Sequence, residues 1–169
     1  GRYSLTPTTL IDGAVRWSRI EADIDGFPAP SLGLADTPDT TDRDQWSAHV
    51  RLQANALGLT HRFSVSASDI ERDTVSDFPS TFTADRQVYR WQADGTALTD
   101  QIDFAIGAER EETTGSLSTG AERDLGTTSA FTTAQYRPTE RLNLSGALRW
   151  DDTDDFGSET TGRISAAYR

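Results

Sequence analysis

The stretch of sequence that decides the fold reads Gln45-Trp46-Ser47-Ala48-His49-Val50-Arg51-Leu52-Gln53-Ala54-Asn55-Ala56. Every even position from Trp46 to Ala56 is apolar, and every odd position is polar. Because successive side chains of a β-strand point to opposite faces, this segment has one apolar face and one polar face. Strands of about 9–11 residues with this alternation are typical of transmembrane β-barrels.

The same alternation recurs along the chain, with apolar residues at every second position of further segments: Ile11, Val15 and Trp17; Phe63, Val65 and Ala67; Tyr89, Trp91 and Ala93; Ile102, Phe104 and Ile106; Leu142, Leu144, Leu148 and Trp150. The pattern predicts an all-β fold, an antiparallel meander of about eight long strands preceded by a short one. Turns are predicted at residues 6–9, 57–59, 94–96 and 138–140. Longer acidic loops are predicted at residues 25–44, 71–84, 111–124 and 151–157.

A soluble secreted β protein that binds carbohydrate or calcium would also alternate, but three features favour a membrane barrel. The predicted strands are about twice the 5–6 residues usual in globular sheets. All four Trp residues fall on the apolar parity near predicted strand ends, as in an aromatic girdle. The polar parity carries too many polar and charged residues for a dry core: Arg16, His49, Arg51, Gln53, Asn55, Arg62, Arg90 and Arg149. We therefore expect a segment of a barrel in the outer membrane of a Gram-negative bacterium, with its apolar face against outer-membrane lipid.

Composition excludes several classes of function. The net charge is −11, without a basic cluster, which argues against nucleic acid as a partner. With two His, no Cys and no glycine-rich phosphate loop, no catalytic constellation is present in the sequence, and we expect that the chain is not an enzyme. It contains neither Met nor a signal peptide, so we expect an excerpt or a processed product of a longer protein.

Several motifs support a more specific interpretation. Residues 148–157 read LRWDDTDDFG and residues 161–169 read TGRISAAYR; residues 133–142 read TAQYRPTERL and residues 107–112 read GAEREE. In this order and spacing they resemble the barrel of TonB-dependent outer-membrane receptors, and the cobalamin-receptor branch over nearly the whole chain. A receptor of that family has a 22-stranded barrel and an N-terminal plug with a TonB-contacting box. Neither the plug nor the box is found in residues 1–169, so the resemblance identifies the chain as a partial barrel, a middle piece of its wall.

The resemblance implies active import of a bulky scarce solute, of the corrinoid or metal-siderophore type. The implied partners are the plug domain of the same full-length chain, a TonB-type energy-coupling protein and the small bulky ligand. An alternative is a self-contained eight-stranded outer-membrane barrel that acts as an adhesin or structural anchor. Pairing of the first strand with the last would distinguish the two.

Carboxylates form the one suggestive cluster, because the predicted long loops share one end of the barrel. Asp23 and Asp25 point the same way from an extended backbone, and the adjacent loop adds Asp73 and Asp77. Ca²⁺ takes six to eight oxygen ligands in irregular geometry, so these four residues are candidate calcium ligands. The resemblance to cobalamin receptors points to calcium as well. The alternative is that acidic loops simply keep an exposed rim hydrated.

Overall fold

The computed structural model describes residues 1–28, 30 and 33–169, and these form a single antiparallel sheet. The strands follow one another in chain order, and each pairs with the next: β1 (Arg2–Thr6), β2 (Thr9–Gly26), β3 (Ala35–Ala56), β4 (Leu59–Val75), β5 (Ser80–Ala97), β6 (Ile102–Leu117), β7 (Ala121–Tyr136), β8 (Leu142–Thr153) and β9 (Gly157–Tyr168). The predicted all-β meander of eight long strands and one short strand is confirmed.

β1 and β9 form the two edges of the sheet, and within the described residues they do not pair with each other. A self-contained eight-stranded barrel needs that pairing, because closure is what removes its edges. The described sheet therefore gives no support to the small closed barrel.

The strand register separates the two faces that the alternation predicts. One row across six strands is apolar throughout: Leu52, Phe63, Trp91, Ala108, Ala130 and Trp150. We call the side that carries this row the outer face, since an apolar sheet face in a barrel meets lipid. The opposite side, which carries the polar parity, is the inner face.

The connections differ from the prediction at one end of the sheet. The predicted loops at residues 71–84, 111–124 and 151–157 are mostly strand, and only residues 76–79, 118–120 and 154–156 separate the strands. In the predicted loop at residues 25–44, β3 already begins at Ala35, while Ala29, Ser31 and Leu32 lie outside the described residues.

These hairpins project beyond the lipid. An 18-residue strand such as β2 is about 60 Å long at 3.3 Å per residue, and a tilt of 35–45° leaves a height of about 45 Å. The apolar band of an outer-membrane barrel is about 25 Å tall. Each long hairpin therefore continues as an ordinary strand pair for several residues past the band.

The turn predicted at residues 94–96 lies slightly later, at residues 98–101, and Gly95 is part of β5. A Cβ on Gly95 would lie 2.4 Å from Cδ2 of Leu59 and 2.9 Å from Cζ of Phe104. Glycine at this position therefore makes room for neighbouring outer-face side chains and does not mark a turn. The turn at Leu57 and Gly58 has positive φ at both residues, as expected of a two-residue hairpin.

Little of the described sheet is buried from solvent. Its buried side chains are Ala93 on the outer face and Ser129 on the inner face, whereas Val15 is 79% exposed. A single sheet cannot enclose a core, so these apolar side chains need lipid to remove them from water. Within the described residues, no helix is long and apolar enough to cross a membrane.

Candidate functional site: the inner face

The inner face carries a continuous row of polar residues at the height of the apolar band. Seven consecutive strands contribute one residue each, directly opposite its neighbours: Asp12, Arg51, Ser64, Arg90, Glu109, Ser129 and Asp151. We call this set the inner row. It alternates acidic, basic and hydroxyl side chains, and its charges can therefore be neutralised within the sheet.

Glu109 is the centre of the hydrogen bonding in the inner row. Its carboxylate accepts hydrogen bonds from Nη1 of Arg90 at 3.3 Å and from Nη2 of Arg149 at 3.1 Å. Arg149 also donates to the hydroxyl of Ser129 at 2.7 Å and to Asp151 at 2.8 Å. The side chain of Glu109 is 14% exposed. Hydrogen bonds to charged groups are the stronger ones, so Glu109 fixes β5, β6 and β8 relative to one another.

Further pairs extend the network to neighbouring strands. Nη2 of Arg51 lies 2.9 Å from Oδ2 of Asp12, which joins β3 to β2. Arg62 on β4 pairs with Asp94 on β5, and Asp94 also accepts a hydrogen bond from Gln92 at 2.8 Å. Around the inner row, the inner face thus pairs its charges within the sheet, and it is suited to contact water or another polar protein surface.

An aromatic ring lies inside this polar network. Phe131 stands directly opposite Gly107, where a Cβ would come within 2.3 Å of its Cζ atom. The guanidinium of Arg90 lies over the same ring, 4.6 Å from its centroid. Glycine on β6 therefore provides the space in which the ring packs, and a cation–π contact with Arg90 adds to that packing.

Sequence reasoning placed the inner-face arginines correctly but misplaced three of their carboxylate partners. Asp151 and Glu111 were predicted to lie in loops, and Asp94 in a turn; all three are strand residues on the inner face. The sequence did contain the information. Each of these carboxylates lies an odd number of positions after an outer-face apolar residue (Trp150, Ala108 and Ala93, respectively), and this spacing places it on the inner face.

Many other acidic residues lie on the outer face of the projecting hairpins, some of them predicted to lie in loops and others not. Glu21, Asp42 and Asp73 stand directly opposite one another on three adjacent strands, and Asp69 stands opposite Asp85. Partial burial, together with a hydrogen bond to Asp85 and its charge, raises the pKa of Asp69 above 3.8. Carboxylates facing outward above the lipid keep the hairpins hydrated.

The four candidate calcium ligands are spread over this region. Asp23 stands opposite Thr40 on β3, and Asp25 lies at the irregular end of β2. Asp73 stands opposite Asp42, and Asp77 lies in the turn between β4 and β5. Within the described residues, no group of three or more His, Asp or Glu side chains could hold a metal ion. Calcium binding by these four residues stays a prediction.

Comparisons with known proteins identify the same architecture. No protein-family profile matches the chain. The vitamin B12 transporter BtuB of Photobacterium profundum is 27% identical over 114 residues, which cover 65% of this chain and 18% of that relative. The siderophore receptor PirA of Pseudomonas aeruginosa superposes with a TM-score of 0.80 at 14% identity, over 99% of this chain and 29% of PirA. The resemblance to TonB-dependent outer-membrane receptors is confirmed.

Two further structures share the fold. The ferric yersiniabactin uptake receptor FyuA of Yersinia pestis superposes with a TM-score of 0.69 at 11% identity, over 94% of this chain and 31% of FyuA. OmpT, an outer membrane protein of Vibrio cholerae, superposes with a TM-score of 0.52 at 14% identity, over 96% of this chain and 50% of the OmpT chain. The predicted location in the Gram-negative outer membrane is confirmed. These relatives are described as a transporter and as receptors, which supports a non-enzymatic role.

Proposed function

We propose that this chain is a wall segment of an outer-membrane TonB-dependent active transporter that imports a bulky scarce solute, of the corrinoid or metal-siderophore type. The observation that carries the proposal is the two-faced sheet itself, which superposes over 99% of its length on a siderophore receptor. The vitamin B12 transporter that it resembles in sequence supports the corrinoid alternative. The chain spans 18% of the length of that curated relative, so the activity belongs to a longer protein.

The inner face supports this role because it is polar and because the charges around its inner row are paired across strands. A porin-like channel and a receptor closed by a plug both need a polar interior. In the receptor, the inner row would contact the plug domain of the full-length chain, and a TonB-type protein would displace that plug from the periplasmic side. The outer face would anchor the wall in lipid, and the hairpins would meet the solute. No chemical step is involved.

Uptake by intact cells tests the proposal. The full-length gene would be expressed in a strain that lacks its own cobalamin and siderophore receptors, and accumulation of radiolabelled cyanocobalamin and of ferric chelates would be measured. We expect accumulation against a gradient of at least one of these solutes, and its loss when the TonB-type partner is deleted. Uptake that persists without the partner, or that only equilibrates, would indicate a passive channel and refute active transport.

Whether the acidic hairpins bind calcium is tested separately, by the dependence of solute binding on the ion. If the acidic hairpins bind calcium in the full-length receptor, chelation should reduce solute binding, and replacement of Asp73 by Asn should reduce the calcium dependence. Equal solute affinity in calcium and in chelator would exclude a role for the ion.

A further inference from the structure

Two arginines on the projecting hairpins lack the carboxylate partners that Arg51, Arg62, Arg90 and Arg149 have on the same face. Arg43 on β3 and Arg72 on β4 stand directly opposite each other on the inner face. Neither has a carboxylate oxygen within 4 Å among the described residues. The inner-face positions around the pair contain no acidic residue: Ser18, Ile20, Ala22, Thr41, Gln45, Ile70, Thr74, Ser80, Phe82 and Ala84. Like charges directly opposite each other on a sheet are destabilising, so this arrangement calls for an anion.

The surroundings of the pair are polar on one side and apolar on the other. Nη2 of Arg43 donates to Oε1 of Gln45 at 2.7 Å, while its Nε atom is buried without a hydrogen-bond partner. The guanidinium of Arg72 lies over the ring of Phe82, 5.5 Å from its centroid. A buried donor without an acceptor is costly, and an incoming anionic oxygen would satisfy it.

A depression of about 420 Å³ opens on the same face, closer to the lipid band. Its floor contains the small side chains of Ser47 and Ser68, with Arg16 and Arg86 at either end of the same cross-strand row. His49 also lines it, and Nδ1 of that ring lies 2.9 Å from the hydroxyl of Ser66. Hydroxyl groups and guanidinium groups are both donors to anionic oxygens.

A carboxylate next to the depression is already paired. Glu111 accepts two hydrogen bonds of 2.8 Å from Arg86 in a bidentate pair. That pairing lowers the pKa of Glu111 below 4.5, so the carboxylate stays ionised and is already engaged. On the inner face of β2, β3 and β4 at the hairpin end, Arg16, Arg43 and Arg72 have no carboxylate oxygen within 4 Å among the described residues. We call these three residues, with the depression, the basic mouth.

We propose that the basic mouth binds an anionic group, a carboxylate or a phosphate, at the hairpin end of the inner face. Planar guanidinium groups match the geometry of both groups, and Phe82 and Ile20 offer apolar contacts to the rest of the molecule that carries them. The anion comes either from the imported solute or from another segment of the full-length chain. The inference rests on the proposed function, because it adds an anionic group to the solute that the receptor would take.

Titration calorimetry on the full-length receptor in detergent, with inorganic pyrophosphate as the probe, tests the first source. We expect binding by the native protein and about tenfold weaker binding for each contacting arginine replaced, hence about 100-fold for Arg16→Gln/Arg43→Gln. Neither residue forms an ion pair in the described structure, so the variant should fold. The control for each single replacement, Arg16→Gln or Arg43→Gln, is Arg19→Gln, which removes one positive charge from the outer face of β2 and should leave the affinity unchanged.

The unfolding midpoint of the same proteins tests the second source. If a carboxylate of the full-length chain already occupies the basic mouth, pyrophosphate will not bind, and Arg16→Gln/Arg43→Gln will lower the midpoint relative to Arg19→Gln. If the native protein binds no pyrophosphate and the double variant raises or keeps the midpoint, the basic mouth has no anion to bind and the proposal is wrong. Cellular uptake is measured separately. If the receptor imports its solute but shows neither pyrophosphate binding nor a lowered midpoint in the double variant, only the anion site is refuted and the proposed transport function stands.

Discussion

Replacement of Glu109 by Gln tests whether the inner row holds the wall together. The substitution keeps the shape of the side chain and removes the charge that faces Arg90 and Arg149. Each charge-assisted hydrogen bond contributes about 1.5–3 kcal/mol when shielded from water. The two arginines are 42% and 38% exposed, so solvent screens both contacts, and we expect a combined loss of about 2–3 kcal/mol.

Glu112 offers a matched control on the same strand. It faces outward and lies 3.4 Å from Arg110, and its side chain is 56% exposed. Glu112→Gln should therefore change the free energy of unfolding by less than about 0.5 kcal/mol. Both variants would be unfolded with urea as full-length receptors in lipid vesicles, followed by Trp fluorescence. Equal stability of the two variants would show that the inner-row contacts contribute nothing beyond a surface pair.

Three other substitutions test the two faces and the hairpins. Val65→Arg places a charge on the outer face in the lipid band and should cost about 2–4 kcal/mol in vesicles; a neutral result would mean that this face does not meet lipid. Gly107→Ala crowds the aromatic ring above it and should cost about 1–3 kcal/mol in the same urea titration, whereas Gly115→Ala, 4.0 Å from the nearest atom, should cost clearly less. Asp85→Asn removes a cause of the raised pKa of Asp69. Because a raised carboxyl pKa means stability that is present below pH 3.8 and lost as the pH rises, this variant should be more stable than the native protein at pH 7 and lose its advantage near pH 4. An equal difference in urea unfolding midpoint between Asp85→Asn and the native protein at pH 7 and near pH 4 would show that Asp85 does not raise the pKa of Asp69.

The alternation at Gln45–Ala56 was sufficient to predict the fold because its information is local. In a strand, the parity of a residue fixes the face on which it lies, and lipid on one side with water on the other imposes a period of two on the sequence. The same parity placed Arg51 and Arg90 on the inner face without any knowledge of their partners.

The projecting hairpins were missed for a physical reason. Beyond the lipid both faces of a strand pair meet water, so the hydropathy period fades while the backbone hydrogen bonds continue. Residues such as Asp42 and Asp73 therefore look like loop residues in sequence, although the ladder pairs them directly. Turn-like composition alone cannot separate a hydrated strand from a loop.

The sequence by itself determined which residues face lipid and which face the interior, because that depends on the position of a residue along its own strand. The tertiary structure decided which charges meet. Glu109 and Arg149 are separated by 40 residues, and their contact exists because the registers of β6, β7 and β8 bring Arg149 to within two residues of the row that contains Glu109. The register of β3 and β4 also brings Arg43 opposite Arg72, and the residues opposite this pair on the next strands, Ile20 and Phe82, are not acidic. Register is a property of paired strands, and no single strand contains it.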